Sequence, residues 1–181
     1  MLYFDNSATT KTDSRVVDTM MPYITNNFGN ASSIYSIGRQ SRSVIENARI
    51  QVSKALNCSA SEIYFTSGGT ESDNLAIMGI ANAYKKNGNH IITSTIEHPA
   101  VLNTLERLKK QGFDITYIDV DKNGIIDVDK LENAITGKTI LITIMFANNE
   151  IGTIQPIEKI GKTAKAHKIV FHTDAVQAIG H

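Results

Sequence analysis

The sequence predicts an α/β protein in which helices flank a mainly parallel sheet. Short runs rich in β-branched and aromatic residues alternate with segments whose apolar residues recur at helical spacing. Pro99 and Pro156 each stand where a helical segment begins, the helix position that best accepts proline. Of the 181 residues, 41% are hydrophobic, which is ordinary for a globular protein.

The first predicted helix is Gly38–Asn57, in which Val44, Ala48 and Val52 lie on one face. It follows a short opening segment, and strands and helices then alternate to the end of the chain. The predicted strands are Glu62–Thr66, His90–Ser94, Asp114–Val120, Thr139–Phe146 and Ile169–Thr173. The predicted helices that separate them are Thr70–Lys86, Pro99–Gln111, Asp127–Ala134 and Pro156–His167.

Charge and cysteine content limit the function classes. Eighteen basic residues balance eighteen acidic ones, so the chain lacks the basic character of a nucleic-acid or membrane-surface binder, and a small-molecule ligand is favoured. No basic and apolar leader opens the sequence, no segment is apolar enough to span a membrane, and Cys58 is the only cysteine. We expect a cytoplasmic protein with no internal disulfide.

The spacing of Asp119, Asp121 and Asn123 resembles the first positions of a calcium-binding EF-hand loop. The twelfth position of such a loop must supply a bidentate glutamate, and here it is Lys130. We therefore predict a turn over Asp121–Gly124 and no metal site.

The stretch Phe65–Ile77 is the most informative of the chain. It contains Gly68 and Gly69 between a predicted strand and a predicted helix. Free N–H groups at a helix N-terminus bind anions, and glycines let a phosphate approach the backbone. The same turn also occurs as simple βα packing, so the remaining strand ends must decide between the two.

Polar residues follow the predicted strands at the edge where ligands of parallel sheets bind. A phosphate site, an imidazole, a carboxylate and two amides suit a flat phosphorylated heterocycle, and we predict pyridoxal 5′-phosphate. Asp174 would pair with the pyridine nitrogen, His98 would stack on the ring, and Asn149 and Gln177 would bind the ring oxygen. Each residue also has a structural interpretation: His98 could end a strand, Asp174 could cap a helix, and Asn149 could form a turn.

Six ordered motifs resemble those of the NifS/IscS-type cysteine desulfurases. They are D-N-S-A-T-T at Asp5–Thr10, G-N-A-S-S at Gly29–Ser33, F-T-S-G-G-T-E-S-D-N-L-A-I at Phe65–Ile77, E-H-P-A-V at Glu97–Val101, N-N-E-I-G-T-I-Q-P-I at Asn148–Ile157 and H-T-D-A-V-Q-A-I-G at His172–Gly180. The resemblance implies part of the large domain of a fold-type I pyridoxal-phosphate enzyme of the class V aminotransferase-like group, and a homodimer. It also implies conversion of L-cysteine to alanine, with transfer of the sulfur as a persulfide to an acceptor protein for iron–sulfur clusters or thiolation.

The resemblance assigns roles to individual residues. Gly69 and Thr70 resemble the phosphate-binding pair, and His98 resembles the histidine that stacks on the ring and moves protons. Asn149, Asp174 and Gln177 keep the roles predicted above. Asn30 corresponds to the position near the substrate carboxylate. Two departures, Ala31 for proline and Tyr35 for histidine, affect the substrate side.

The resemblance also implies that key groups lie beyond this sequence. The Schiff-base lysine, the nucleophilic cysteine and the substrate-clamping arginine have no counterpart here, and Cys58 is expected to be an ordinary thiol. We expect residues 1–181 to be a single truncated cofactor-binding domain, with an amino-terminal segment at 1–40 and an alternating core at 41–181, inactive alone. Its unpaired sheet edges predict a dimer or an edge-paired assembly. A monomer in light scattering at micromolar concentration would contradict this.

Two alternatives stay open at this point. One is a desulfurase-like module that binds partners without catalysis. The other is a related selenocysteine lyase or class V aminotransferase.

Overall fold

The computed structural model describes residues 2–180, and the chain divides between Phe65 and Thr66 into two compact units. The first unit contains two helices, α1 (Ser14–Thr25) and α2 (Ser36–Leu56). α2 confirms the helix predicted from Gly38. α1 was not among the predicted elements, and its N-terminus is capped by Asp13, whose carboxylate accepts a hydrogen bond from the backbone N–H of Arg15 at 2.8 Å.

The predicted strand Glu62–Thr66 is wrong. Residues 60–62 form a single 3-10 turn, and residues 63–66 have no regular secondary structure. The backbone groups of Ile63 are already used within the first unit: its N–H donates to the carbonyl of Ala60, and its carbonyl accepts from the guanidinium of Arg49. A strand needs these groups for a neighbouring strand, so β-prone residues alone do not make one here.

The second unit alternates four helices and four strands. The strands are β1 (His90–Ser94), β2 (Asp114–Ile118), β3 (Thr139–Thr143) and β4 (Val170–His172). The helices are α3 (Gly69–Tyr84), α4 (Pro99–Lys110), α5 (Val128–Asn133) and α6 (Ile157–Ala166). All eight were predicted, with ends that differ by at most three residues. None of the helices in residues 2–180 is both long and apolar enough to cross a membrane.

The four strands form one sheet in the order β2-β1-β3-β4, and every neighbouring pair is parallel. This confirms the predicted α/β fold. Alternate strand residues face opposite sides, so Ile91 and Leu141 pack with α3 and α4, whereas Ile92 and Ile142 pack with α5 and α6. The sheet is therefore covered on both sides, as parallel sheets require.

The structure tests the predictions made from prolines at helix starts and from turn residues. Pro99 is the first residue of α4, as predicted, whereas Pro156 lies one residue before α6. The turn predicted at Asp121–Gly124 is confirmed, because the Gly124 N–H donates to the Asp121 carbonyl at 2.9 Å. The Asp121 carboxylate accepts the backbone N–H groups of Asn123 and Ile125, which makes it a turn-forming group.

Gly88 offers a test of the turn between α3 and β1. A Cβ at Gly88 would lie 2.1 Å from the Lys138 carbonyl oxygen, whereas a Cβ at Gly79, within α3, would meet no atom within 4 Å. We expect Gly88→Ala to lower the free energy of unfolding by about 2 kcal/mol, because a backbone must move. The matched change Gly79→Ala should raise it by about 0.5–1 kcal/mol. Urea denaturation measures both free energies of unfolding. A Gly88→Ala protein as stable as the wild type would show that the backbone near Gly88 and Lys138 can move apart at little cost.

Candidate cofactor site

The candidate site lies in the second unit, at the carboxyl ends of its strands. α3 ends shortly before β1 begins, so α3 runs back along the sheet and its N-terminus lies at the carboxyl end of β1. The connections after β1, β3 and β4 start at the same edge because the strands are parallel. The fold thus brings together residues that are about 30 to 100 positions apart in sequence.

The N-terminus of α3 presents backbone donors that have no partner among residues 2–180. Gly68 is the N-cap residue, and no side chain caps the helix there. Glu71 reaches back to Ser67, accepting its N–H at 2.7 Å and its hydroxyl at 2.6 Å, so the donors of the first helical turn stay available. With the positive end of the helix dipole, these N–H groups of Gly69 and Thr70 suit a phosphate.

Gly69 is a close-approach position. A Cβ added to Gly69 would lie 3.0 Å from the Cγ2 atom of Val176, in the connection that follows β4. The absence of a side chain therefore lets this connection pack against the first turn of α3. The predicted phosphate turn and the segment of Asp174 are neighbours for that reason.

Asp174 begins the connection after β4. Its carbonyl accepts the N–H of Phe146 at 2.8 Å, which ties it to the end of β3, and its carboxylate accepts the N–H of Val176 at 3.0 Å. The second bond forms a local turn, and residues 173–180 contain no helix that Asp174 could cap. One carboxylate oxygen is enough for that turn, and the side chain retains further acceptor capacity.

His98 is exposed and precedes α4 directly. Its Nδ1 accepts the backbone N–H of Ala100 at 3.1 Å, which fixes the orientation of the ring. Because Nδ1 is an acceptor, the proton of the neutral ring is on Nε2. His98 is therefore both a helix cap and an imidazole whose Nε2 has no hydrogen-bond partner within residues 2–180.

The predicted amide groups differ in what they contact. Asn148, not Asn149, joins the loops: its amide donates to the Ile96 carbonyl at 3.0 Å, and its oxygen accepts the N–H groups of Glu150 and Ile151. Asn149 is half-buried at the tip of this turn. Gln177 is half-buried, three residues after Asp174.

Asn30 lies in the first unit. Its side-chain oxygen accepts the N–H of Ser32 at 2.9 Å, which makes it a local turn former. Cys58, also in this unit, is exposed in the loop after α2, in agreement with an ordinary loop thiol.

Three titratable residues without a predicted role also belong to this edge: Asp73 on α3, Glu97 before His98, and His172 at the end of β4. Asp73 and Glu97 are each only 4% exposed. Burial raises the pKa of Asp73 to about 6, with the Asp174 charge adding to the rise and the His98 charge opposing it. Burial lowers the pKa of His172, against the pull of Asp174. Asp73 had no sequence signal, since only the packing of α3 on β4 places it here.

Glu97 joins the ends of two strands. One carboxyl oxygen accepts the Ser94 hydroxyl at 2.5 Å and the backbone N–H of Met145 at 3.0 Å. The other oxygen is buried with no hydrogen-bond partner among residues 2–180. Burial is the main cause that raises the Glu97 pKa to about 7, and the Asp174 and Asp73 charges add to it.

These residues fit a pyridoxal phosphate. The free donors of α3 match a dianionic phosphate, Gly69 leaves its backbone open, and the carboxylate of Asp174 stands on the neighbouring connection. The excess of acidic groups, Asp73, Glu97 and Asp174, suits a cationic heterocycle at the end of the ligand away from the phosphate. Sequence-predicted residues Gly69, Thr70, His98, Asn149, Asp174 and Gln177 all belong to this unit.

Comparisons with known proteins show which proteins the chain is similar to. The family model described as aminotransferase class-V matches residues 2–181. The chain is 61% identical over 180 residues to the cysteine desulfurase IscS of Methanosarcina thermophila, covering 99% of this chain and 45% of that protein. It is 54% identical to the putative cysteine desulfurase IscS 1 of Bacillus subtilis, covering 99% of this chain and 47% of that one.

Solved structures are similar as well. A NifS-like protein superposes with a TM-score of 0.96 at 41% identity, over 99% of this chain and 50% of that chain. A structure described as SspA in complex with cysteine superposes with a TM-score of 0.94 at 43% identity, over 98% of this chain and 51% of that chain. The chain thus spans about half the length of the curated relatives that it matches, and it corresponds to their amino-terminal part.

The buried Glu97 makes a prediction about pH. Its pKa is raised from 4.5 to about 7 in the folded protein, so the native state binds the proton more tightly than the unfolded state. Stability should therefore fall as pH rises from 4.5 to 7, with Glu97 contributing at most about 3 kcal/mol. Glu97→Gln keeps an acceptor oxygen for Ser94 and Met145 and should remove this part of the pH dependence.

Urea denaturation of the cofactor-free form of the complete gene product, at pH 5 and pH 7.5, measures the effect. The control is Glu158→Gln, since Glu158 is an exposed glutamate paired with Lys162 on α6. The control should keep the wild-type dependence on pH. A Glu97→Gln protein with that same dependence would show that Glu97 is ionised at low cost.

Proposed function

The chain belongs to the aminotransferase class-V family, and on that basis we propose that it is the amino-terminal half of a pyridoxal-phosphate-dependent cysteine desulfurase. Residues 1–181 would form the truncated cofactor-binding domain of that enzyme. The chain is homologous to the amino-terminal part of cysteine desulfurase IscS, which supports the assignment.

One observation carries the proposal. The N-terminus of α3, which no side chain within residues 2–180 caps, and the carboxylate of Asp174 lie on adjoining segments at the same edge of the sheet. A Cβ added to Gly69 would lie 3.0 Å from Cγ2 of Val176. An anion-binding helix N-terminus beside a carboxylate matches the two ends of pyridoxal phosphate. The helix N-terminus suits the phosphate, and the carboxylate suits the protonated ring nitrogen. A protein that needed only βα packing at Gly69 would not require the buried acidic groups.

The residues would share the cofactor as follows. Gly69 and Thr70 would hold the phosphate with backbone N–H groups, and Asp174 would hold the proton on the ring nitrogen. Asn149 and Gln177 would bind the ring oxygen. Bound pyridoxal phosphate supplies an electron sink for cleaving bonds at the Cα and side chain of an amino acid.

His98 would accept and donate protons. The hydrogen bond from the Ala100 N–H occupies Nδ1, so Nε2 is the nitrogen that can hold or release a proton towards the site. The fixed ring face also suits stacking on a flat heterocycle. Asn30 is proposed to bind the substrate carboxylate, on the strength of the motif at Gly29–Ser33.

The finer parts of the proposal concern the complete enzyme. L-cysteine would be the substrate, alanine and a protein-bound persulfide the products, and a scaffold or thiolation protein the sulfur acceptor. A homodimer in the cytoplasm is proposed, with no nucleic acid or membrane partner. Without the Schiff-base lysine and the nucleophilic cysteine, residues 1–181 should not turn over alone.

The first test uses the complete gene product that contains this chain. We expect it to copurify with pyridoxal phosphate, seen by its visible absorbance, and to release alanine and sulfur from L-cysteine in equal amounts. Asp174→Asn should weaken cofactor binding at least about tenfold, because a neutral amide cannot pair with a cationic ring nitrogen. Asn keeps the oxygen that accepts the Val176 N–H, so the turn is retained.

The control is Asp129→Asn, which removes the same charge from an exposed position on α5. It should bind the cofactor as the wild type does. A complete gene product without pyridoxal phosphate, and without alanine release, would sink the proposed function.

A second test addresses the phosphate end. Gly69→Ala places a methyl group 3.0 Å from Val176 at the start of α3, and we expect it to weaken binding of pyridoxal phosphate about tenfold. Binding of pyridoxal, which lacks the phosphate, should change less. Gly79→Ala in the same helix serves as the control, and equal losses for both ligands would argue against a phosphate site at Gly69.

A further inference from the structure

Asp73 is a buried carboxylate that the proposed function does not use. It is 4% exposed, and no hydrogen bond joins its side chain to any residue among 2–180. Buried carboxylates without hydrogen bonds are costly, so one that is kept calls for a reason. Nε2 of His172 lies 3.6 Å from Oδ1, which is too long for a hydrogen bond.

The state of His172 follows from its other contact. Nδ1 lies 2.8 Å from the hydroxyl of Thr143 on β3. The carboxylate of Asp73 can only accept, so the ring proton belongs on Nε2, facing Asp73, and Thr143 donates to Nδ1. Burial favours the neutral ring. His172 therefore turns an N–H dipole towards Asp73 without cancelling its charge.

The charged groups around Asp73 come from three elements. Asp174 follows β4, His98 precedes α4, and Glu97 lies beside it at the end of β1; His172 is on β4 itself. Asp73 and Asp174 act on each other through their like charges, and the exposed His98 opposes them. At neutral pH the folded site thus carries more negative charge than Asp174 supplies.

We propose that Asp73 is a positioning residue of the cofactor site, whose carboxylate, oriented by the neutral His172 ring, adds a second negative charge to that of Asp174 and strengthens the binding of a protonated ring nitrogen. This rests on the proposed function, since it needs the cationic heterocycle at Asp174. Asp73 acts through the field at Asp174 and need not touch the ring. A bound cation would offset part of the cost of burying this carboxylate.

The ring nitrogen is the part of the cofactor that this inference concerns, so the test removes it. The complete gene product, freed of cofactor, is titrated at pH 7.5 with pyridoxal 5′-phosphate and with 1-deazapyridoxal 5′-phosphate, which has carbon in place of the ring nitrogen. We expect Asp73→Asn to weaken the binding of pyridoxal phosphate about tenfold and to leave the binding of the deaza analogue unchanged. Asp129→Asn, an exposed loss of the same charge, should change neither.

The outcomes separate the explanations. Equal weakening of both ligands means that Asp73 only maintains the fold, and no weakening of either means that its charge does not reach the site; each overturns the inference. If the wild type binds neither ligand, the proposed function itself fails, which is a different result. Whether or not Asp73 contributes, Asp174→Asn should weaken the binding of pyridoxal phosphate and should not weaken the binding of the deaza analogue.

Two further measurements test the inference if the Asp73→Asn protein does not fold. Asp73→Glu keeps the charge and should retain the wild-type preference for pyridoxal phosphate over the deaza analogue; a preference lost as in Asp73→Asn would count against the inference. In the wild type, the ¹⁵N spectrum of the His172 ring, assigned by its loss in His172→Gln, should show the neutral Nε2–H form at pH 7.5. A doubly protonated ring or an Nδ1–H form would contradict it.

Discussion

The parallel pairing of β3 with both β1 and β4 is the constraint on which the site depends. It sets the ends of three strands side by side, so that the residues after Ser94, Thr143 and His172 face one another. Two contacts then secure the connections: the Glu97 carboxyl accepts the Met145 N–H, and the Asp174 carbonyl accepts the Phe146 N–H. One of these contacts uses the side chain of Glu97 and the other the backbone of Asp174, so both kinds of hydrogen bond position the polar groups.

Electrostatics at this edge are arranged at a cost to stability. Asp73 and Glu97 are buried with raised pKa values, and one oxygen of Glu97 has no partner among residues 2–180. A folded protein that needed only packing could replace these groups with apolar residues of similar size. Their presence beside the N-terminus of α3 fits a site in which a ligand with a negative and a positive end compensates both.

Individual elements show how far the sequence reaches. α3 and α4 were predicted within a few residues, because glycine and proline mark their starts and apolar periodicity marks their length. The strand at Glu62–Thr66 failed although its residues favour β structure, since Arg49 and Ala60 occupy the backbone groups of Ile63. Asp73 and His172 could not be paired from sequence, because they are about a hundred positions apart and meet only where α3 packs on β4.

The sequence by itself determined the fold class, the order of elements in the second unit and the residue types at its strand ends. These depend on local periodicity, on turn residues and on residue types, all of which can be read along the chain. Only the tertiary structure decided which acidic groups are buried, which nitrogen of His98 is free, and that Glu97 links two strands. Burial and hydrogen bonding between distant segments set those properties, and a sequence pattern carries no distances between segments.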